Sequence, residues 1–174
     1  MKPIYIMMAG LPGSGKSYAA EQIMDIFTNV NFEYVSTDAF IENEARIANK
    51  TYAEMFQSTI DTATKVVNSW RQDFLDCRLN IIHDQTNLTV KSRAKKLVGI
   101  PKEYTKIAIW CKVDETVRQE RLLNRPGKSI PKHVDMQMRN SEEQPMLSEG
   151  FNGVVSFTIW ESALREYSIR RLNS

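Results

Sequence analysis

The sequence predicts an α/β protein built on a doubly wound, five-stranded parallel sheet with flanking helices and a helical lid. Three observations carry that prediction. Five apolar, β-rich runs recur along the 174 residues, each followed by a segment with apolar positions at helical spacing. The runs are nearly continuous in apolar character, as strands covered on both faces must be. A glycine-rich stretch, AGLPGSGKS at 9–17, separates the first run from the first helical segment.

The elements follow in order. Strands are expected at IYIMMA (4–9), FEYVS (32–36), LNIIH (79–83), YTKIAIWCKV (104–113) and GVVSFTIW (153–160). Helices are expected at 16–27, 52–76, 89–98, 114–125 and 131–140, and ESALREYSIRRLNS reads as a last amphipathic helix or tail. No repeat, low-complexity tract or linker divides the chain, so one domain over 1–174 is expected, with a lid over about 118–140. With 42% hydrophobic and 25% charged residues the composition is that of an ordinary globular protein. No apolar run approaches the roughly 20 residues of a membrane span, and MKPIYIMMAG reads as a first strand, not a secretion signal. Cys77 and Cys111 lack metal-ligand spacing and are expected as small core residues in a reducing, cytoplasmic setting.

The glycine-rich stretch satisfies G-x-x-x-x-G-K-[ST] from Gly10 to Ser17, after a strand and before a helix. Its glycines let successive backbone N–H groups converge without a Cβ in the way, and the next helix adds the positive end of its dipole. Leu11, Pro12, Gly13, Ser14, Gly15, Lys16 and Ser17 are therefore expected to bind a nucleoside triphosphate. Lys16 supplies a point charge to the terminal phosphates and Ser17 a hydroxyl for Mg²⁺.

Two further strand ends carry polar residues where a doubly wound sheet opens its ligand crevice. In VSTDAF, Asp38 is placed either to accept a proton from an attacking hydroxyl or to cap the next helix. In NIIHDQTN, Asp84 is a Mg²⁺ candidate, Thr86 and Asn87 reach substrate or cap the following helix, and His83 reads as an ordinary strand-end residue. A fourth stretch, RQERLLNRPGKSIP (118–131), joins two helices through a basic Gly/Pro loop. Arg125 is placed to stabilise a transferred phosphoryl group, Arg121 to contact the nucleotide, and Lys128 to meet substrate, whereas Arg118 fits a solvated helix face.

Charge is uneven. Residues 1–90 carry 7 Lys/Arg against 11 Asp/Glu, residues 91–139 carry 13 against 5, and residues 140–174 carry 3 against 5. The middle block is where a polyanion would be held, although for 91–106 a solvated helix face is an equal reading.

GLPGSGKS, STDAF, DQTN, NRPGKSIP and PMLSEGF (145–151) together resemble, in order, the 5′-kinase module of the polynucleotide kinase family, among the zeta-toxin-like and AAA-type P-loop kinases. The resemblance implies a P-loop kinase fold using ATP and Mg²⁺. It implies Asp38 as general base, Lys16 on the phosphates, Ser17 with the metal, Arg125 as the lid arginine, and a nucleic-acid 5′-hydroxyl as acceptor. Several relatives carry an arginine three residues after the base, and here that position is Ile41. A small-molecule hydroxyl or a hydroxymethylated base in DNA is the alternative acceptor. A nucleotide-dependent switch is the non-enzymatic alternative, and a base for an alcohol argues against it.

Overall fold

In the computed structural model, residues 2–125 and 127–158 are described, and strands and helices alternate through them. The order is β1 (Ile4–Ala9), α1 (Lys16–Ile26), β2 (Phe32–Val35), α2 (Thr37–Ile47), α3 (Tyr52–Asp76), β3 (Asn80–Asp84), α4 (Val90–Leu97), β4 (Thr105–Lys112), α5 (Glu115–Leu123), α6 (Lys132–Ser141) and β5 (Gly153–Thr158). The helix or tail expected after residue 160 lies outside the described residues, as do Pro126 and the last two positions of the expected fifth strand.

All four strand pairings are parallel, in the order β2-β3-β1-β4-β5. The expected five-stranded parallel sheet is present, and every strand's carboxyl end opens on the same edge. From the central β1 the chain runs to the edge strand β2, returns to β3 between the two, and then crosses to β4 and β5 on the other side. The glycine-rich loop therefore leaves β1 where the crossovers change direction, the crevice of a doubly wound sheet.

Two apolar layers sandwich the sheet. On one face Tyr5, Met7, Val35, Ile81 and Ala108 meet Val67 and Leu75 of α3 and Leu97 of α4. On the other, Ile6, Met8, Ile82 and Ile109 meet Ala19 and Ala20 of α1. Fully burying one such side chain stabilises by about 1.5–3 kcal/mol. The two alanines also let α1 lie close to β1, which fixes the phosphate loop between them.

Helix ends follow local chemistry. Thr51 and Glu54 form a reciprocal capping box at the start of α3. The helix expected to run to 125 stops at Leu123, consistent with the bias against helical backbone before Pro126. Among the described helices, α2 is the one without expected bounds, entering only as the helix after Asp38. It starts where the Ser36 hydroxyl accepts a hydrogen bond from the Ala39 amide at 3.2 Å, and its buried apolar residues are only Ile41 and Ala45.

Candidate functional site

The loop after β1 has the shape its glycines allow. Gly10, Gly13 and Gly15 all have positive φ, at 137°, 82° and 93°. A Cβ on Gly10 would lie 2.5 Å from the Cys111 carbonyl oxygen. Among the described residues no protein carbonyl takes the amides of Gly13 or Gly15, and Lys16 and Ser17 open the first turn of α1, whose N–H groups a helix leaves free. These four amides have the arrangement of an anion nest. The Lys16 ammonium donates to the Gly10 and Leu11 carbonyls at 3.0 and 2.9 Å. Burial lowers its pKa, opposed by the Asp84 carboxylate. It is a desolvated cation held at the mouth of the nest.

Hard oxygen donors converge beside it. The Ser17 and Tyr34 hydroxyls both donate to Asp84 Oδ2, at 2.7 and 2.5 Å. A hydroxyl and one carboxylate at a phosphate nest suit Mg²⁺, which takes few protein ligands and completes its shell with phosphate and water. Among the described residues no group of three or more His, Cys, Asp or Glu could hold a metal. The donor set thus fits Mg²⁺ and not a zinc-type cage.

Asp38 lies in the first turn of α2 with both oxygens engaged. Tyr52 donates to Oδ1 at 2.8 Å, and Lys128 to Oδ2 at 2.7 Å. Lys128 also reaches Glu42 at 2.8 Å and lies over the Tyr52 ring at 4.1 Å from its centroid. The adjoining loop is anchored by the Gly127 carbonyl, which accepts from the Ala53 amide at 2.8 Å. Desolvation works to raise the Asp38 pKa, but Lys128, Tyr52 and Lys16 outweigh it and hold the carboxyl below its ordinary value. The Ser36 hydroxyl caps α2, so capping does not require Asp38. Arg125 is close enough for its charge to act on both Lys16 and Tyr52.

At the end of β3 the residues diverge in role. The Thr86 carbonyl accepts from the Gly10 amide at 2.9 Å. Asn87, with φ of 45°, is buried, and its amide donates to the Met8 carbonyl at 2.7 Å. In this arrangement Asn87 braces β3 against β1, and no side-chain atom of it is left for an acceptor. His83 is buried within β3. Its Nδ1 meets the Tyr5 hydroxyl at 2.5 Å, Arg71 donates to that hydroxyl at 2.8 Å, and burial lowers the imidazole pKa well below its usual value.

Several sequence expectations are corrected. Arg118 is buried, not solvated: it makes a bidentate pair with Asp135 at 2.7 and 2.8 Å, bonds to Glu115 at 2.8 and 2.9 Å, and donates to the Pro12 carbonyl at 3.2 Å. It ties α5, α6 and the loop together. Arg121 donates to the Gly13 carbonyl at 3.3 Å, so it sits against the phosphate loop. Cys77 is exposed and Cys111 buried, so only the second behaves as a core residue. Ile41 is fully buried and cannot face a ligand. Tyr34, Glu42 and Tyr52 join the site from outside the expected residues, and Gln85 and Lys96 join it from the DQTN stretch and the basic block.

Removing Arg118 leaves Asp135 as a nearly buried charge without its partner. Arg118→Ala is expected to lower unfolding stability by about 3–5 kcal/mol, measured by urea denaturation. Arg118→Met combined with Asp135→Leu, which removes both charges, should recover much of that loss.

The strand order, nest, lysine and hydroxyl–carboxylate pair define a P-loop nucleotide-binding domain of the kinase type. The chain belongs to the AAA domain family, whose model matches residues 6–145. Solved structures share its fold. One is a protein of Chloroflexus aurantiacus j-10-fl assigned as a kinase, 18% identical with a TM-score of 0.68 over 99% of this chain and 97% of that one. A gluconokinase from Sinorhizobium meliloti 1021 is 21% identical, with a TM-score of 0.55 over 92% and 85%. A chain of the Pnkp1/Rnl/Hen1 RNA repair complex is 23% identical, with a TM-score of 0.60 over 80% of this chain and 43% of that one. At these identities the likeness is one of fold. Among curated proteins, none matches the chain. No described helix is long and apolar enough to cross a membrane.

Proposed function

We propose that the protein transfers the γ-phosphoryl group of ATP to an alcohol, with Asp38 as proton acceptor and residues 118–140 as the lid. The observation that carries this reading is a carboxylate in the first turn of α2, just past β2, held by Tyr52 and by Lys128 of the lid at 2.8 and 2.7 Å. A switch that positions water has no need of it. The acceptor oxygen forms a bond to the γ-phosphorus as the bond to the β–γ bridging oxygen breaks, and the hydroxyl proton passes to an Asp38 oxygen. Lys16 and Arg125 offset the charge on the transferring group. Ser17 and Asp84 would hold Mg²⁺, which supplies further neutralisation of the phosphates when bound. Lys128 must first leave Asp38 Oδ2, because an oxygen accepting from an ammonium is a poor proton acceptor.

For the acceptor, the geometry favours a small-molecule hydroxyl. Of the basic block at 91–139, Arg93, Arg118, Lys128 and Arg139 are in ion pairs, and Lys96 is held by amide oxygens. Ile41 points into the core, and Glu42 adds a negative charge beside the base. The second reading, a 5′-hydroxyl end of DNA or RNA, is supported by the order of the five motifs and by Lys91, Lys95 and Lys102, which remain exposed. Label transfer from ATP to a pool of sugars and other small alcohols, to 5′-hydroxyl oligonucleotides and to hydroxymethylated duplexes tests both. Transfer to a small alcohol, with a rate nearly independent of salt, is the expected result. Transfer to oligonucleotides only, falling steeply with salt through counterion release, would establish the second reading.

A further inference from the structure

We propose that Lys96 is a positioning residue that sets the placement of the base-bearing helix against the phosphate-loop strand, acting through Gln85 and Asn87. The inference rests on the phosphotransferase reading above and concerns a residue with no contact to the reacting groups. Lys96 lies in the last turn of α4. Its ammonium donates to Gln85 Oε1 at 2.6 Å and to Asn87 Oδ1. Among the described residues no carboxylate pairs with it, although the side chain is half-buried.

A lysine ammonium can only donate, and that decides the orientation of both amides. Each must turn its oxygen to Lys96 and its NH₂ group away. The Gln85 amide then donates to Thr37 Oγ1 at 2.8 Å, and the Asn87 amide to the Met8 carbonyl at 2.7 Å. Thr37 is the first residue of α2, immediately before Asp38. Met8 lies in β1, two residues before Gly10. One cation behind the end of β3 therefore braces both halves of the active site. The same segment touches the loop once more, through the Gly10 amide and the Thr86 carbonyl.

Lys96 is itself anchored. Its carbonyl accepts from Arg71 at 2.7 Å, and Arg71 is held in turn by the Tyr5 hydroxyl at 2.8 Å. A half-buried cation without an anion is costly, and desolvation with the Arg71 charge pulls its pKa down to about 8. A glutamine would satisfy the same partners at less electrostatic cost, but it can accept as well as donate. It would let Gln85 and Asn87 flip. The cation gives one orientation, and in phosphoryl transfer a small displacement of the base is felt in the rate.

The test uses the full chain with ATP, the best acceptor from the pool above, and four variants: Lys96→Arg, Lys96→Gln, Lys96→Met and Asp38→Asn. Lys96→Arg, a donor-only cation, is expected to keep most of the turnover. Lys96→Gln and Lys96→Met should lose about tenfold or more in kcat, with affinity for a fluorescent ATP analogue within about twofold of the parent, as misplacement predicts. A readout independent of activity is the side-chain amide NMR signals of Gln85 and Asn87. They should be single and protected in the parent and Lys96→Arg, and exchange-broadened in Lys96→Gln. Unchanged kcat in Lys96→Gln, or rates in all three variants that simply follow the folded fraction, would overturn the proposal. Should Asp38→Asn retain the parent rate, the base assignment fails instead, whatever the lysine variants do.

Discussion

Lys16→Ala will abolish phosphoryl transfer while leaving the fold in place. The ammonium is nearly buried, and among the described residues its hydrogen-bond partners are the Gly10 and Leu11 carbonyls of its own loop. Those two hydrogen bonds compete with a desolvation cost, so their loss changes stability by no more than about 1–1.5 kcal/mol. The catalytic cost is larger. A terminal phosphate entering the nest gives the ammonium an anionic partner in a desolvated setting, where the attraction is strong. Loss of one such preorganised group costs roughly 10²–10³ in rate in comparable sites, and here it also weakens nucleotide binding. Lys16→Arg sharpens the test. Its planar fork cannot occupy the point-charge position between two carbonyls, so it too should be inactive. Single-turnover transfer from ATP, beside denaturant unfolding, separates the two effects. Near-parental transfer by Lys16→Ala with intact folding would remove the nucleotide role of the loop.

The fold was legible because strand and helix periods are local. The apolar runs matched the strands to within two residues at each described end, and the boundaries of α3 agree throughout. α2 entered only as the helix that Asp38 could cap, without bounds, and its short apolar face is Phe40, Ile41 and Ala45. The site was legible only where backbone and side chain cooperate within a few residues, as at Gly10–Ser17 and at Asp38 and Asp84 beyond their strands. It was not legible where partners meet across the chain. Lys128 and Asp38 are 90 residues apart, and Arg93 and Glu149 are 56 apart. A count of charges therefore read the 91–139 block as surface available to a polyanion, when Arg93 and Arg118 are among its most buried members. The Glu149 side chain takes both Arg93 and the Met146 amide, which is the physical content of the glutamate in PMLSEGF. Phe151 of the same motif is a core residue.

Asp38→Asn keeps the shape of the carboxylate and removes its ability to take a proton. Turnover is expected to fall by roughly 10²–10⁴, the range for positioned general bases, with nucleotide affinity little changed because no loop contact is lost. Its stability effect is small, since Asp38 is half-exposed and Ser36 already caps α2. The pH profile carries more information. Asp38 must be ionised to act, and with Lys128 in contact its pKa lies below the ordinary value, so the acid limb of kcat should lie below the usual carboxylate range near 4 if that contact persists during turnover. If Lys128 leaves, the strongest lowering influence goes with it, and desolvation moves the acid limb to higher pH. Lys128→Met makes this comparison directly. A parent enzyme whose lid lysine stays at Asp38 shows an upward shift of the acid limb in Lys128→Met. A parent enzyme whose lysine has already withdrawn in the reacting complex shows the same limb in both. The mechanism above requires withdrawal, so coincident acid limbs are the expected result, together with a lower acceptor KM in Lys128→Met because the carboxylate no longer has to be uncovered. A clear upward shift would mean that the proton is accepted at Oδ1, from which Tyr52 and not Lys128 must move.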